Sequence, residues 1–208
     1  MKNSFDNLIT IDIVCHGVPS PLVWKKYIKW QEKRKKASLT KVDFRNKIDY
    51  GWAAHIESLW FSDGSKIDST IYTKMFYEHS ILRPCCYKCP YKSISHPGDI
   101  TIGDYWGVEK AAPVFDDNKG VSLVLVNNQK GLDFFLKCSV DLNYTETSLT
   151  NSMQPPLIKP YDRPCDRDKV WEDIKSKPFH KIVKKYGGND LLSRVKRKIR
   201  KMFNCMRA

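Results

Sequence analysis

The chain has 208 residues, of which 41% are hydrophobic and 12% aromatic, and that apolar content offsets the entropy of ordering, which excludes a disordered or low-complexity chain. This length suits one domain of ordinary size with an appendage and excludes two full catalytic domains. With 36 Lys and Arg against 23 Asp and Glu the formal net charge is +13, a field that attracts polyanions and anionic cofactors.

In chain order, residues 8–14 (LITIDIV) are rich in β-branched side chains and alternate as a strand does. The strand ends in a turn of Cys15, His16 and Gly17, after which Ser20 as N-cap and Pro21 at the first helical position predict a helix over residues 21–36. A strand-to-helix turn of this kind offers backbone N–H groups and a helix N-terminus to an anionic ligand or a cluster. Residues 39–44 then read as a strand, and residues 52–61 and 66–72 as two more, joined by the hairpin signal of Asp63 and Gly64. A short helix over 73–82 leads to the cysteine loop, followed by a strand at 99–104. Residues 121–126 form an unbroken apolar run, expected to be a strand buried on both faces. Helices are expected at 131–139, 167–175, 179–186 and 191–203, with a Pro-rich stretch between the first two. Strands and helices mix without strict alternation, so the expected class is α/β or α+β: a mixed β-sheet flanked by helices, with a helical basic tail. The division expected is a domain over 1–165 and a helical, basic extension over 166–208.

No apolar run approaches the roughly 20 residues of a bilayer span, and the N-terminus has no apolar signal core. The expected location is therefore cytoplasmic, where thiols are kept free, catalytic or metal-bound. In the loop RPCCYKCPY (83–91), Cys86 and Cys89 have a C-x-x-C spacing that lets both sulfurs reach one metal centre. A free or redox-active dithiol is the plainer reading. Cys15, ending a strand beside His16 and a helix N-terminus, is the best further ligand, although an isolated Cys there can equally be a small buried hydrophobe. Cys138 fits that second description on an apolar helix, and Cys165 and Cys205 read as surface thiols.

Gly103, Asp104, Trp106 and Gly107 combine close backbone approach with a flat aromatic wall suited to a planar ring system, or else make a tight turn with a core Trp. The loop NKGVS (118–122) is a phosphate cradle or an ordinary connection. Arg45, Lys47 and Trp52 form a basic-aromatic cluster facing an anionic substrate or, alternatively, a solvated hairpin end. Residues 191–208 carry seven bases and no acid, an amphipathic basic helix for an anionic membrane surface or a partner, or simply a solvated helix.

Taken in order, DIVCHGVPS (12–20), DFRNK (43–47) with Gly51 and Trp52, RPCCYKCPY (83–91), GDITIGDYWG (98–107) and KGVS (119–122) resemble the C-terminal domain of the coenzyme F-420 hydrogenase/dehydrogenase beta subunit family. The resemblance runs from about residue 8 to the basic tail. It implies an iron–sulfur flavoprotein oxidoreductase passing electrons between a 4Fe-4S cluster, FAD and an acceptor, with coenzyme F-420 a candidate acceptor. Bacterial relatives occur with polysaccharide-biosynthesis proteins.

On this resemblance Cys15, Cys86 and Cys89 are cluster ligands; Gly17, Pro19, Ser20, Thr101, Gly103, Asp104, Trp106, Gly107, Gly120 and Ser122 bind cofactor; and His16, Arg45 and Lys47 are the polar groups near flavin or acceptor. A cube cluster normally takes four ligands. The fourth is expected from a partner, an N-terminal domain or subunit of the same enzyme system, with a ferredoxin-like protein as electron donor and no specific nucleic acid. The rival reading is a non-enzymatic basic binding module in which the cysteines hold zinc or nothing.

Overall fold

The structure is a computed structural model that describes residue 5 and residues 7–187. The basic helix expected at 191–203, the membrane contact assigned to it and Cys205 lie outside the described residues. In chain order the elements are β1 (Ile11–Ile13), α1 (Pro21–Lys35), β2 (Leu39–Asp43), α2 (Lys47–Tyr50), β3 (Glu57–Phe61), β4 (Lys66–Ser69) and α3 (Ile71–Tyr77). They continue with β5 (Ile100–Asp104), α4 (Val108–Ala111), β6 (Ser122–Val126), α5 (Gln129–Cys138), α6 (Leu149–Ser152), α7 (Arg167–Ser176) and α8 (Phe179–Tyr186). This is the mixed α+β class: two small sheets with flanking helices. Among the described residues no helix is long and apolar enough to cross a membrane.

Two compact units divide the chain, the first from Met1–Gly17 and Pro84–Asp162, the second from Val18–Arg83 and Arg163–Ala208. In the first, the strand order is β1-β5-β6, with β1 parallel and β6 antiparallel to β5. Asp12 pairs with Thr101, and Asp104 with Ser122. Helix α5 starts from Asn128, whose side chain accepts the Gly131 N–H at 2.9 Å. A Cβ on Gly131 would stand 2.2 Å from the Asp99 carbonyl, so only glycine lets the helix approach this closely. β6 is not buried on both faces as its apolar run predicts: Leu123 is 4% exposed, but Val124 and Val126 are 37% and 39% exposed. It is an edge strand, paired on one side only.

The second unit is a β2-β3-β4 antiparallel meander with α1, α3, α7 and α8 packed by Val23, Tyr27, Leu59, Met75, Ile174 and Ile182. Ser20 caps α1 and Pro21 opens it, as the sequence predicts. The strand expected from residue 52 starts only at Glu57, and Asn46 instead caps the one-turn helix α2 by accepting the Asp49 N–H at 3.1 Å.

Glu57 organises the centre of this unit. Its carboxylate is 1% exposed and accepts from Tyr27 Oη at 2.7 Å, from the backbone N–H groups of Tyr72 and Thr73 at 2.9 and 2.8 Å, and from Thr73 Oγ1 at 2.5 Å. Two N–H groups that α3 leaves without helical partners are thereby satisfied inside the core. Burial and the Glu57 charge push the Tyr27 and Tyr72 hydroxyls well above the ordinary tyrosine range, so both remain neutral and Tyr27 donates to Glu57. Glu57→Gln replaces one acceptor oxygen by a donor facing other donors. The expected loss is about 2 kcal/mol of unfolding free energy in urea; a loss below about 0.5 kcal/mol would show that the network is dispensable.

Candidate functional site

The register of the first sheet brings the separated motifs to one edge. Because β1 and β5 are parallel, their C-terminal ends lie side by side, delivering Cys15, His16 and Gly17 from one strand and Asp104, Trp106 and Gly107 from the other. The antiparallel pairing of Asp104 with Ser122 adds the start of β6, preceded by Gly120, to the same edge. The C-terminal edge of parallel strands is where open sheets hold ligands. Gly103, just below, packs against β1, since a Cβ there would meet Val14 at 2.8 Å. Gly107, at φ +100°, enters α4 in a conformation that favours glycine, and Gly120 has φ +101°.

Thr101 lies beneath that edge, fully buried, with Oγ1 accepting from Asn127 at 2.9 Å. Tyr105 is buried too and shares a 2.7 Å hydrogen bond with Thr147, so it is a core residue. Pro19, Ser20, Arg45 and Lys47 belong to the second unit. Arg45 donates to the Trp52 carbonyl at 2.7 Å, lies over the Trp52 ring, and lines a cavity of about 350 Å³ together with Pro19, Phe44, His55 and Tyr77. Lys47 is the exposed first residue of α2.

The cysteine loop completes the first unit's edge. A 3-10 turn over Pro84–Lys88 buries Cys86, leaves Cys89 half-buried and exposes Cys85. Cys15 is half-buried. The residue that joins the two segments is Lys92, which sequence reasoning missed: it is 5% exposed, and Nζ donates to the His16 carbonyl at 2.5 Å. Nζ also lies 4.1 Å from the centre of the Tyr161 ring, a cation–π contact. Burial pushes the Lys92 amine below the ordinary lysine range, while negative charge on Cys15, Cys86 and Cys89 pulls the other way, so all three thiols act on this one ammonium. Tyr161, also unanticipated, shares a 3.1 Å hydrogen bond with His16 Nδ1 and packs on the imidazole at 4.6 Å between centroids. Cys138 is half-buried on α5 and Cys165 exposed.

Two carboxylates hold the loop's exit against β1. Asp12 Oδ2 accepts the Gly98 N–H at 2.9 Å, and Oδ1 stands 3.0 Å from His96 Nδ1. Asp99 accepts from the N–H and hydroxyl of Thr10 at 2.8 and 2.7 Å and from the Asn128 amide at 2.9 Å.

Among the described residues no three or more His, Cys, Asp or Glu side chains stand in a group that could hold a single metal ion. An iron–sulfur cluster sets a different requirement, because its thiolates bind separate iron atoms across a cube and stand farther apart than the ligands of one ion. Cys15, Cys86 and Cys89 lie on the two segments that Lys92 joins, and thiols are the donors such a cluster takes.

The family described as the C terminus of the coenzyme F420 hydrogenase/dehydrogenase beta subunit matches residues 2–151, and the chain belongs to it. No curated protein matches the chain.

The Asp99 hydrogen bonds, led by the Thr10 N–H, hold its carboxyl down at about 2 against an ordinary 3.8. A depressed carboxyl contributes stability that is present above its unfolded value and disappears as pH falls through the folded one. The wild-type urea midpoint is therefore expected to drop between about pH 4 and 2, and Asp99→Asn to lower the neutral-pH midpoint and flatten that segment of the profile. An unchanged profile in the variant would remove Asp99 as the clasp.

Proposed function

We propose that the chain is the C-terminal domain of an iron–sulfur flavoprotein oxidoreductase in which Cys15, Cys86 and Cys89 hold three corners of a 4Fe-4S cluster. The observation that carries this reading is that buried Lys92 donates to the His16 carbonyl and so ties the loop of Cys86 and Cys89 to Cys15 at the end of the β1-β5-β6 sheet. When bound, the cluster supplies single-electron steps and FAD links them to a two-electron acceptor, with coenzyme F-420 the acceptor to test first. A partner subunit or domain supplies the fourth ligand, and a ferredoxin-like protein the electrons.

The chain's own part is to bind, orient and shield. Gly17, Gly107 and Gly120 give open backbone for close approach to the flavin, Trp106 a flat apolar wall, and Asp104 and Ser122 polar contacts beside it. Tyr161 fixes the orientation of His16 through Nδ1, so that the imidazole is presented to the edge in one rotamer. Burial of Cys86 and Lys92 keeps water from the inner side of the thiols. Arg45, positioned by the Trp52 carbonyl, and Lys47 offer positive charge to an anionic acceptor in the second unit.

Anaerobic reconstitution with iron and sulfide, followed by a visible spectrum and metal analysis, tests the reading. The expected result is a charge-transfer band and about four irons per chain, both lost in Cys86→Ser/Cys89→Ser and retained in Cys138→Ser and Cys165→Ser. A colourless chain, or one that takes up zinc in place of iron, would overturn it.

A further inference from the structure

We propose that Lys92 is the counter-charge of the three-thiol site: its ammonium offsets the negative charge of the ligand trio and of the cluster they hold, and so sets the cluster's reduction potential. The inference rests on the cluster reading given above and adds to it the residue that tunes the site.

A lysine amine 5% exposed is rare, because an ammonium removed from water is costly unless paired. Among the described residues no carboxylate pairs with Lys92. Its hydrogen-bond acceptor is a neutral carbonyl, that of His16 at 2.5 Å, and its other contact is the face of the Tyr161 ring at 4.1 Å. Among the described residues, the groups whose negative charge would favour the ammonium are Cys15, Cys86 and Cys89. Cysteine binds metal as thiolate, so loading the site would place negative charge on the two segments that the Lys92 backbone and side chain touch.

The hydrogen bond to the His16 carbonyl fixes the ammonium just after β1, one residue from Cys15, while the Lys92 backbone N–H donates to the Cys89 carbonyl at 3.4 Å. The Lys92 backbone is thus tied to the cysteine loop and its ammonium to the segment that follows Cys15, so moving the ammonium to solvent breaks its bond to the His16 carbonyl. Lys92 is a positioning and tuning residue, not one that exchanges electrons or protons. When dithionite delivers one electron, the site gains one negative charge, no bond forms or breaks, and no proton moves at Lys92. A fixed positive charge favours that reduced state, because net charge and hydrogen bonding around the sulfurs set cluster potentials.

The test is an electron-paramagnetic-resonance redox titration of the reconstituted full chain, wild type against Lys92→Met, which removes the charge, and Lys92→Arg, which keeps it. Iron content is measured on each. Lys92→Met is expected to make reduction at least tenfold less favourable, a midpoint about 59 mV more negative for one electron, with Lys92→Arg near wild type. Loss of iron in Lys92→Met with retention in Lys92→Arg also supports a counter-charge. Equal midpoints in wild type and Lys92→Met, or loss of iron in both variants from a wild type that holds it, would overturn the inference while leaving the cluster reading of the wild-type chain standing. A wild-type chain that takes up no iron would remove the cluster reading and this inference together.

Discussion

The parallel pairing of β1 with β5 is the constraint on which the candidate site depends. Only three residues long, β1 has little pairing of its own to hold it. Its place is secured by polar clasps along one side: Thr10 on the Asp99 carboxylate, Asp12 on the Gly98 N–H and on His96, and the Val14 N–H on the Ile102 carbonyl at 2.8 Å. Removing the pairing would leave Cys15, His16 and Gly17 with no fixed relation to the segments that follow β5. The glycines between the strands serve the same end. Gly98 and Gly103 leave room for Asp12 and Val14, so the two segments approach more closely than residues with a Cβ permit.

Both units meet the cost of burying polar groups by concentrating them. In the second unit a single carboxylate, Glu57, takes hydrogen bonds from a tyrosine, a threonine and two backbone N–H groups, which ties helix α3 to strand β3 through the core. In the first unit the buried group is the Lys92 amine, bonded to the His16 carbonyl and lying on the Tyr161 ring. The difference has a functional meaning. A carboxylate saturated by hydrogen bonds is a structural element that binds nothing further, whereas a buried ammonium bonded to a neutral carbonyl keeps its charge uncompensated by any carboxylate among the described residues.

Local chemistry made much of this legible in the sequence. Ser20 and Pro21 announce the start of α1, and Asp63 and Gly64 the β3-β4 turn, because caps and turns are encoded within a few residues. The apolar run of β6 misled, since an unbroken hydrophobic stretch looks the same on an edge strand whose outer residues are partly exposed. The helix α2 was hidden by a four-residue length too short for any periodicity. Lys92 and Tyr161 were invisible for another reason. One is a lysine among 36 basic residues and the other a tyrosine in a Pro-rich stretch, and their importance arises from contacts with His16 that span 76 and 145 positions. The ordered motifs did carry the family, and the register of β1, β5 and β6 explains why motifs so distant in sequence belong together.

The central claim is that the thiols gathered at the sheet edge are ligands of one iron–sulfur cube. Mössbauer spectroscopy of the chain reconstituted with isotopically enriched iron tests it most directly, because it reports the valence and spin coupling of every iron present. The account predicts the delocalised mixed-valence doublet of a diamagnetic 4Fe-4S centre as the dominant signal, one centre per chain. Isolated mononuclear ferric or ferrous iron, or iron that is not retained by the folded chain, would contradict it.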